Sequence, residues 1–283
     1  MNHLEIQRLL KRQASPADII AKLRKSAATP AIMAVLRAES PDLAAIPRLT
    51  YTMYREFERN GLRQGYETPY FGRRAMLSRA VLEIALGDDS CIDAAHDLLM
   101  AICEETSWVL PAHEEQGPDY WELQPAFERT APFGASTALN REPEAIDLFC
   151  AETGAALAEA IFLVGDRLAP EVVRRVRLEV ERRIFRPYLA FARKHWWFTG
   201  PLNWNAVCNG AIAVSFLRLC ADPALVAQAL ELALEGMETY LATGFEPDGG
   251  SIEGIGYWNY GLMYYVVLGE HLRAVGIANL AHA

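Results

Sequence analysis

Three stretches combine aromatic rings, amides, carboxylates and turn residues in a way that a plain apolar core would not need. The first is Trp108-Val109-Leu110-Pro111-Ala112-His113-Glu114. The second runs from His195 through Trp196, Trp197, Asn203, Trp204, Asn205 and Asn209 to Gly210. The third runs from Phe245 to Tyr260 and holds Asp248, Glu253 and Tyr257. Tryptophan and tyrosine faces pack against the C–H surfaces of sugar rings, while asparagine amides both donate and accept hydrogen bonds. The chemistry these types suggest is recognition of a sugar, with a phenol or carboxylate available for proton transfer. A blander reading stands beside it, in which Trp196 and Trp197 are core. Asn203 and Asn205 sit at a loop-to-helix junction and would need partners if buried. Asp248, in Pro-Asp-Gly-Gly, also fits a simple turn, and Glu253 a charge at a helix start. Tyr260 lies three residues after Tyr257, on a neighbouring helical face, and is the second choice should Tyr257 point inward.

The elements that would position these residues are helical. Ser15-Pro16-Ala17-Asp18 reads as a capping box with proline at the first helical position. Apolar residues recur at helical spacing over 41–60, ending at Asn60-Gly61, and over 69–86, ending at Gly87. Asp89-Ser90 opens a further helix to about Trp108. The pattern breaks between Leu110 and Arg141, a stretch rich in proline and glycine but also holding Tyr120, Trp121, Phe127 and Phe133. So long a loop in a compact domain is functional or disordered, and its aromatics favour an ordered cover over a surface or mouth. Helices resume at Pro143. The segment 146–168 is apolar around much of its circumference and suits an inner helix. From Pro170 to about Trp196 the pattern is amphipathic, with Arg174, Arg175, Arg177, Arg182 and Arg183 expected on a solvated face because Glu179 and Glu181 interleave them. Residues 205–219 are small and apolar, Asp222-Pro223 opens a helix to Thr243, and a last helix begins near Glu253. No convincing period-2 strand appears. Helix pairs joined by short loops stack as a bundle, a solenoid or a ring of hairpins. With no fixed-period repeat, an all-α toroid is the expected architecture, with a helical lead-in over 1–40 and the toroid over 41–283.

With 283 residues and 52% hydrophobic composition, the chain can bury a large core. A net charge of −9 argues against a nucleic-acid partner, which needs a concentrated basic footprint. It does not exclude an anionic sugar, since only the charge lining a cleft acts locally. Five scattered cysteines without a C-x-x-C pair read as buried free thiols, and six dispersed histidines give no metal motif. No cofactor is expected. No apolar run is expected to approach the roughly 20 residues of a membrane span, and Met1-Asn2-His3-Leu4-Glu5 does not begin a signal peptide. The expected location is cytoplasmic, or periplasmic or secreted for a chain whose leader has been removed. Self-association is left open.

Asn203-Trp204-Asn205-Ala206-Val207-Cys208-Asn209-Gly210, together with Asp248-Gly249-Gly250, Glu253-Gly254 and Gly256-Tyr257-Trp258, resembles the heparinase II/III-type polysaccharide lyases. Trp108-x-x-Pro-Ala-His113 and the run from Ile146 through Asp147 and Glu152 to Gly154 add to the likeness, which spans roughly residues 50–270. The resemblance implies an (α/α) toroid followed by a large antiparallel β-sandwich, with the cleft between them. It also implies β-elimination of a uronic-acid-containing polysaccharide. By position, Asn203 falls on the asparagine that holds the uronate carboxylate and Tyr257 on the tyrosine that acts as acid and, in many members, base. Trp204, Asn205, His113, Glu253, Tyr260 and Trp197 are the expected substrate-binding residues. Two departures stand out. Trp204 occupies a place where some relatives carry a histidine. The chain also ends near a helix at His271-Leu272-Arg273 with no sandwich, so an incomplete toroid with little lyase activity by itself is expected.

The chemistry suits those residue types. A proton alpha to a carboxylate becomes acidic only when the carboxylate's charge is offset, and a fixed donor facing the developing enolate is worth about 3 kcal/mol. A phenol with an ordinary pKa near 10 is ready as an acid but must be depressed by a positive neighbour to act as a base. Two alternatives compete with the lyase. One is a toroidal glycoside hydrolase using Asp248 and Glu253 as its carboxylate pair. The other is a helical carbohydrate-binding domain without catalysis.

Overall fold

The computed structural model describes residues 14–113 and 146–276. Among these the fold is essentially all helical, with no β-strand. The lead-in holds α1 (Pro16–Lys25) and α2 (Thr29–Glu39). Ser15 and Asp18 form the expected capping box, and Arg37 fixes α2 to the main body by a two-pronged ion pair with Glu83. The helix expected over 41–60 is replaced by an irregular segment and two short helices, α3 (Tyr51–Tyr54) and α4 (Glu56–Asn60). Pro47 is the reason, because proline disfavours helical geometry at the residue before it. The next helix, α5 (Gln64–Leu86), starts five residues earlier than expected, where Arg63 and Glu67 pair across one turn, and it stops at Gly87 in the left-handed region.

The rest of the body is α6 (Ile92–Cys103), α7 (Leu148–Val164), α8 (Pro170–Val180), α9 (Arg186–Phe191), α10 (Asn203–Leu219), α11 (Pro223–Thr243) and α12 (Ile255–Ala274). A π-helical turn, Glu181–Phe185, joins α8 to α9 just before Pro187, whose ring a regular α-turn would drive into the preceding carbonyls. The extra residue in that turn changes the phase of the helix. Arg183, expected among the solvated arginines, is turned inward. It pairs with Glu179 at 2.8 Å and donates to the carbonyl oxygens of Glu105 and Thr106. The helix expected to reach Trp108 ends at Cys103. The Leu110–Arg141 loop lies outside the described residues from Glu114 onward.

Cross-links fix the helix directions. Tyr70 of α5 donates to Phe149 O at the start of α7, and Arg167, just beyond its end, donates to Ile84 O. Glu152 meets Tyr260, and Glu159 meets both Arg218 and His271, one rung further along. A Cβ on Gly261 would lie 3.3 Å from Asn203 Cα, and Arg218 reaches His271. So α5, α7, α10 and α12 run parallel, while α6, α8–α9 and α11 return behind them across short connections. At the centre lies α10, where every residue except Trp204 and Arg218 is buried. The helical segment Leu148–Arg167 contains an 18-residue window of mean hydropathy 1.6 and has the length and apolarity to cross a membrane, correcting the expectation that no such run exists; 56% of that window is buried within the fold. All five cysteines are free, and all but Cys220 are buried.

Candidate functional site

The parallel arrangement brings the N-terminal ends of α5, α7, α10 and α12 to one end of the molecule. Each such end carries about half a positive charge from its aligned peptide dipoles and unpaired N–H groups. The residues singled out by sequence gather here because three of them, Asn203, Trp204 and Tyr257, lie in first turns.

Asn203 is the first residue of α10 and is 1% exposed. Leu202, at the N-cap, offers no capping side chain, and Glu253 supplies one from a distance. One oxygen of its carboxylate accepts the Asn203 backbone N–H at 2.5 Å, and the other accepts Asn203 Nδ2 at 2.6 Å. This grip fixes the amide's orientation, since the reverse would set Oδ1 against the carboxylate. Asn203 Oδ1 is then buried without a hydrogen-bond partner among the described residues. An unmade bond at such an atom costs about 1–3 kcal/mol. Tyr240 stands beside this pair, its hydroxyl pushed up to about 12 by burial and by the charge of Glu253.

Gly261 lets α12 lie close to α10. A side chain there would meet the Tyr240 hydroxyl at 2.3 Å. Tyr257 is one turn earlier on the same face of α12, which projects past the start of α10. It is 56% exposed, beyond the end of α10 that Asn203 begins. Tyr260 turns inward instead. Its hydroxyl and that of Tyr264 both donate to Glu152 Oε1, at 2.6 and 2.8 Å. Burial and the adjoining carboxylate raise both phenols, so Tyr260 braces α12 against α7 and is poorly suited to act as a base.

His113 closes the other side. Asp147, the N-cap of α7, accepts Cys150 N–H on Oδ1 at 2.7 Å, and on Oδ2 it accepts both Leu110 N–H at 3.2 Å and His113 Nδ1 at 2.8 Å. A carboxylate only accepts, so the His113 proton is on Nδ1 and the lone pair of Nε2 faces Arg63, 3.5 Å away. The imidazole stacks on Phe149 and sits 4.9 Å from the Trp204 ring, which in turn lies 5.0 Å from Trp196. Trp204, half-buried, thus links the His113–Asp147 pair to Asn203.

Two expected binding residues belong to the interior. Asn205 is wholly buried and donates to the carbonyls of Phe198 and Gly200, while its own oxygen accepts Asn209, which is held in turn by Tyr188. Trp197 is 1% exposed and donates to Ile146 O. Both anchor the loop before α10. Glu114 lies outside the described residues. Asp248 closes its own turn by accepting Gly250 N–H, while Glu253 is held by the two donors of Asn203. Asp147 and Arg63 belong to the site although sequence reasoning did not select them. The signals available for Asp147 were its place directly before an apolar helix and within the run that carries the family likeness. Among the described residues no group of three His, Cys, Asp or Glu side chains is arranged to hold a metal ion. No family model matches the chain, and no curated protein matches it.

Proposed function

We propose that this chain forms a toroid of αα-hairpins and acts as a polysaccharide lyase, cleaving a uronic-acid-containing polysaccharide by β-elimination. One observation carries the reading: the two donors on Asn203 already grip a carboxylate, that of Glu253, at the buried N-terminus of α10. In the reaction that seat holds the carboxylate of the uronate. Its donors stabilise the charge that moves onto the carboxylate as the C5 proton departs. The electron pair of the C5–H bond becomes the C4–C5 double bond, and the C4–O bond breaks with its pair on the leaving oxygen. Tyr257, exposed beyond the seat, delivers a proton to that oxygen. To accept the C5 proton first it must enter the step as the phenolate, and the phenol so formed then carries the proton that goes to the leaving oxygen. Trp204 and His113 form a wall against which a sugar ring packs.

Product chemistry tests the reaction type. Incubated at high protein concentration with glucuronate-, mannuronate- and guluronate-containing polymers, the chain is expected to release small amounts of oligosaccharides with an unsaturated terminal residue, one water lighter than hydrolysis products. Products that have gained water and carry no double bond would replace this reading with hydrolysis.

A further inference from the structure

Glu253 does more than end a loop. Both its oxygens are taken by the donors on Asn203, and the segment that carries it is built to let go. Gly249 and Gly254 flank it at φ 85° and 82°, with open space where a side chain would be. Ile252 and Ile255 on either side are 66% and 79% exposed, so little packing holds the segment down. Besides Glu253, the segment is held by turns within 246–254, by Trp258, whose Nε1 donates to Gly249 O and whose backbone N–H donates to Gly254 O, and at its start by Phe245, whose ring packs edge-on against Tyr240. A second carboxylate entering beside Glu253 would face a like charge across one amide, and the two would not share the seat as anions.

We propose that Glu253 is the internal occupant of a carboxylate seat, and that a substrate uronate displaces it, freeing segment 245–254 to close over or withdraw from the bound sugar. The proposal rests on the reading of Asn203 as the carboxylate-holding residue. The orphaned Asn203 Oδ1 adds to the ligand's description. The incoming group carries ring hydroxyls in addition to its carboxylate, as a chain uronate does at C2 and C3, and one of them satisfies on binding the acceptor that Glu253 leaves bare.

Hydrogen exchange of the whole chain, with glucuronate as probe and glucose as the uncharged control, tests this. Glucuronate is expected to speed exchange several-fold in 245–254, and glucose to leave it unchanged. Glu253→Gln places an amide N–H against one of the two donors and loosens the clamp. The variant should show fast exchange without sugar and bind glucuronate about tenfold more tightly, since less of the protein is held in the self-occupied form. Glu253→Ala should act in the same direction, with melting curves checking that both variants are folded. Glucuronate binding that leaves the segment's exchange unchanged or slower would overturn the proposal, because Glu253 would then be a fixed cap. So would weaker binding by folded Glu253→Gln, or no glucuronate binding by any form. If glucuronate displaces Glu253 yet no polymer yields an unsaturated product, the displacement stands and only the lyase reading falls.

Discussion

Replacing Asp147 by asparagine changes one atom and should cost far more than its size suggests. The carboxylate accepts three N–H groups, Cys150 on Oδ1 and Leu110 and His113 on Oδ2, in a place only 1% exposed. An amide has a single acceptor oxygen. With that oxygen on the Leu110 and His113 side, the helix cap is lost and an NH2 faces the Cys150 N–H. The opposite orientation loses two bonds, so the first is preferred. A buried bond to a charged acceptor is worth about 1.5–3 kcal/mol, and the two retained bonds lose their charge assistance. The sum is a loss of about 3 kcal/mol, read in urea unfolding as a lower midpoint with an unchanged slope. In a His113→Phe background the same substitution should cost less, because one donor has gone. A loss below about 1 kcal/mol for Asp147→Asn, or equal losses in both backgrounds, would refute the idea that Asp147 holds His113 in place.

Gly236→Ala sets helix propensity against packing. Alanine gains about 1 kcal/mol in a helix interior, but its Cβ would lie 2.2 Å from Asn209 Nδ2 and 2.8 Å from Asn209 Cγ. Overpacking of this kind costs about 1–3 kcal/mol and disturbs the Asn209–Asn205 chain behind Asn203, so the melting temperature should fall; a rise would contradict the packing. His195 predicts an acid sensitivity. Burial lowers its pKa from 6.5 to about 4, so between those values the unfolded chain binds a proton that the folded chain refuses. Its contribution is full above pH 6.5 and is lost as pH falls toward about 4, by about 3 kcal/mol in all. His195→Gln should flatten unfolding free energy over that window, and an unchanged slope would show that another group is responsible.

Much of the fold is legible in the sequence because its helix ends are written in capping chemistry: Ser15 to Asp18, Gly87, and Asp222-Pro223 all mark real boundaries. The helix expected over 41–60 fails because spacing outweighed Pro47. A strict 3.6-residue period puts Arg183 on the solvated face because it carries no warning of the π turn that rotates it inward. At the candidate site, the sequence indicates that Asn203 and Trp204 share a helix start, and the structure places Tyr257 in the first turn of a neighbouring parallel helix. Asn205 and Trp197 looked the same in one dimension. Only the folded chain reveals that their partners are main-chain carbonyls in the interior. Asp147 went unselected because its value lies in a contact with His113 across 34 positions.

Tyr257 is the proton donor on which the proposed elimination depends. The most direct measurement compares wild type with Tyr257→Phe for the release of unsaturated uronate ends, at high protein concentration and with glucuronate binding followed in parallel. Loss of a general acid should lower product formation about a hundredfold or more, while folding and glucuronate binding stay as they were. Undiminished unsaturated product from the phenylalanine variant would contradict the account.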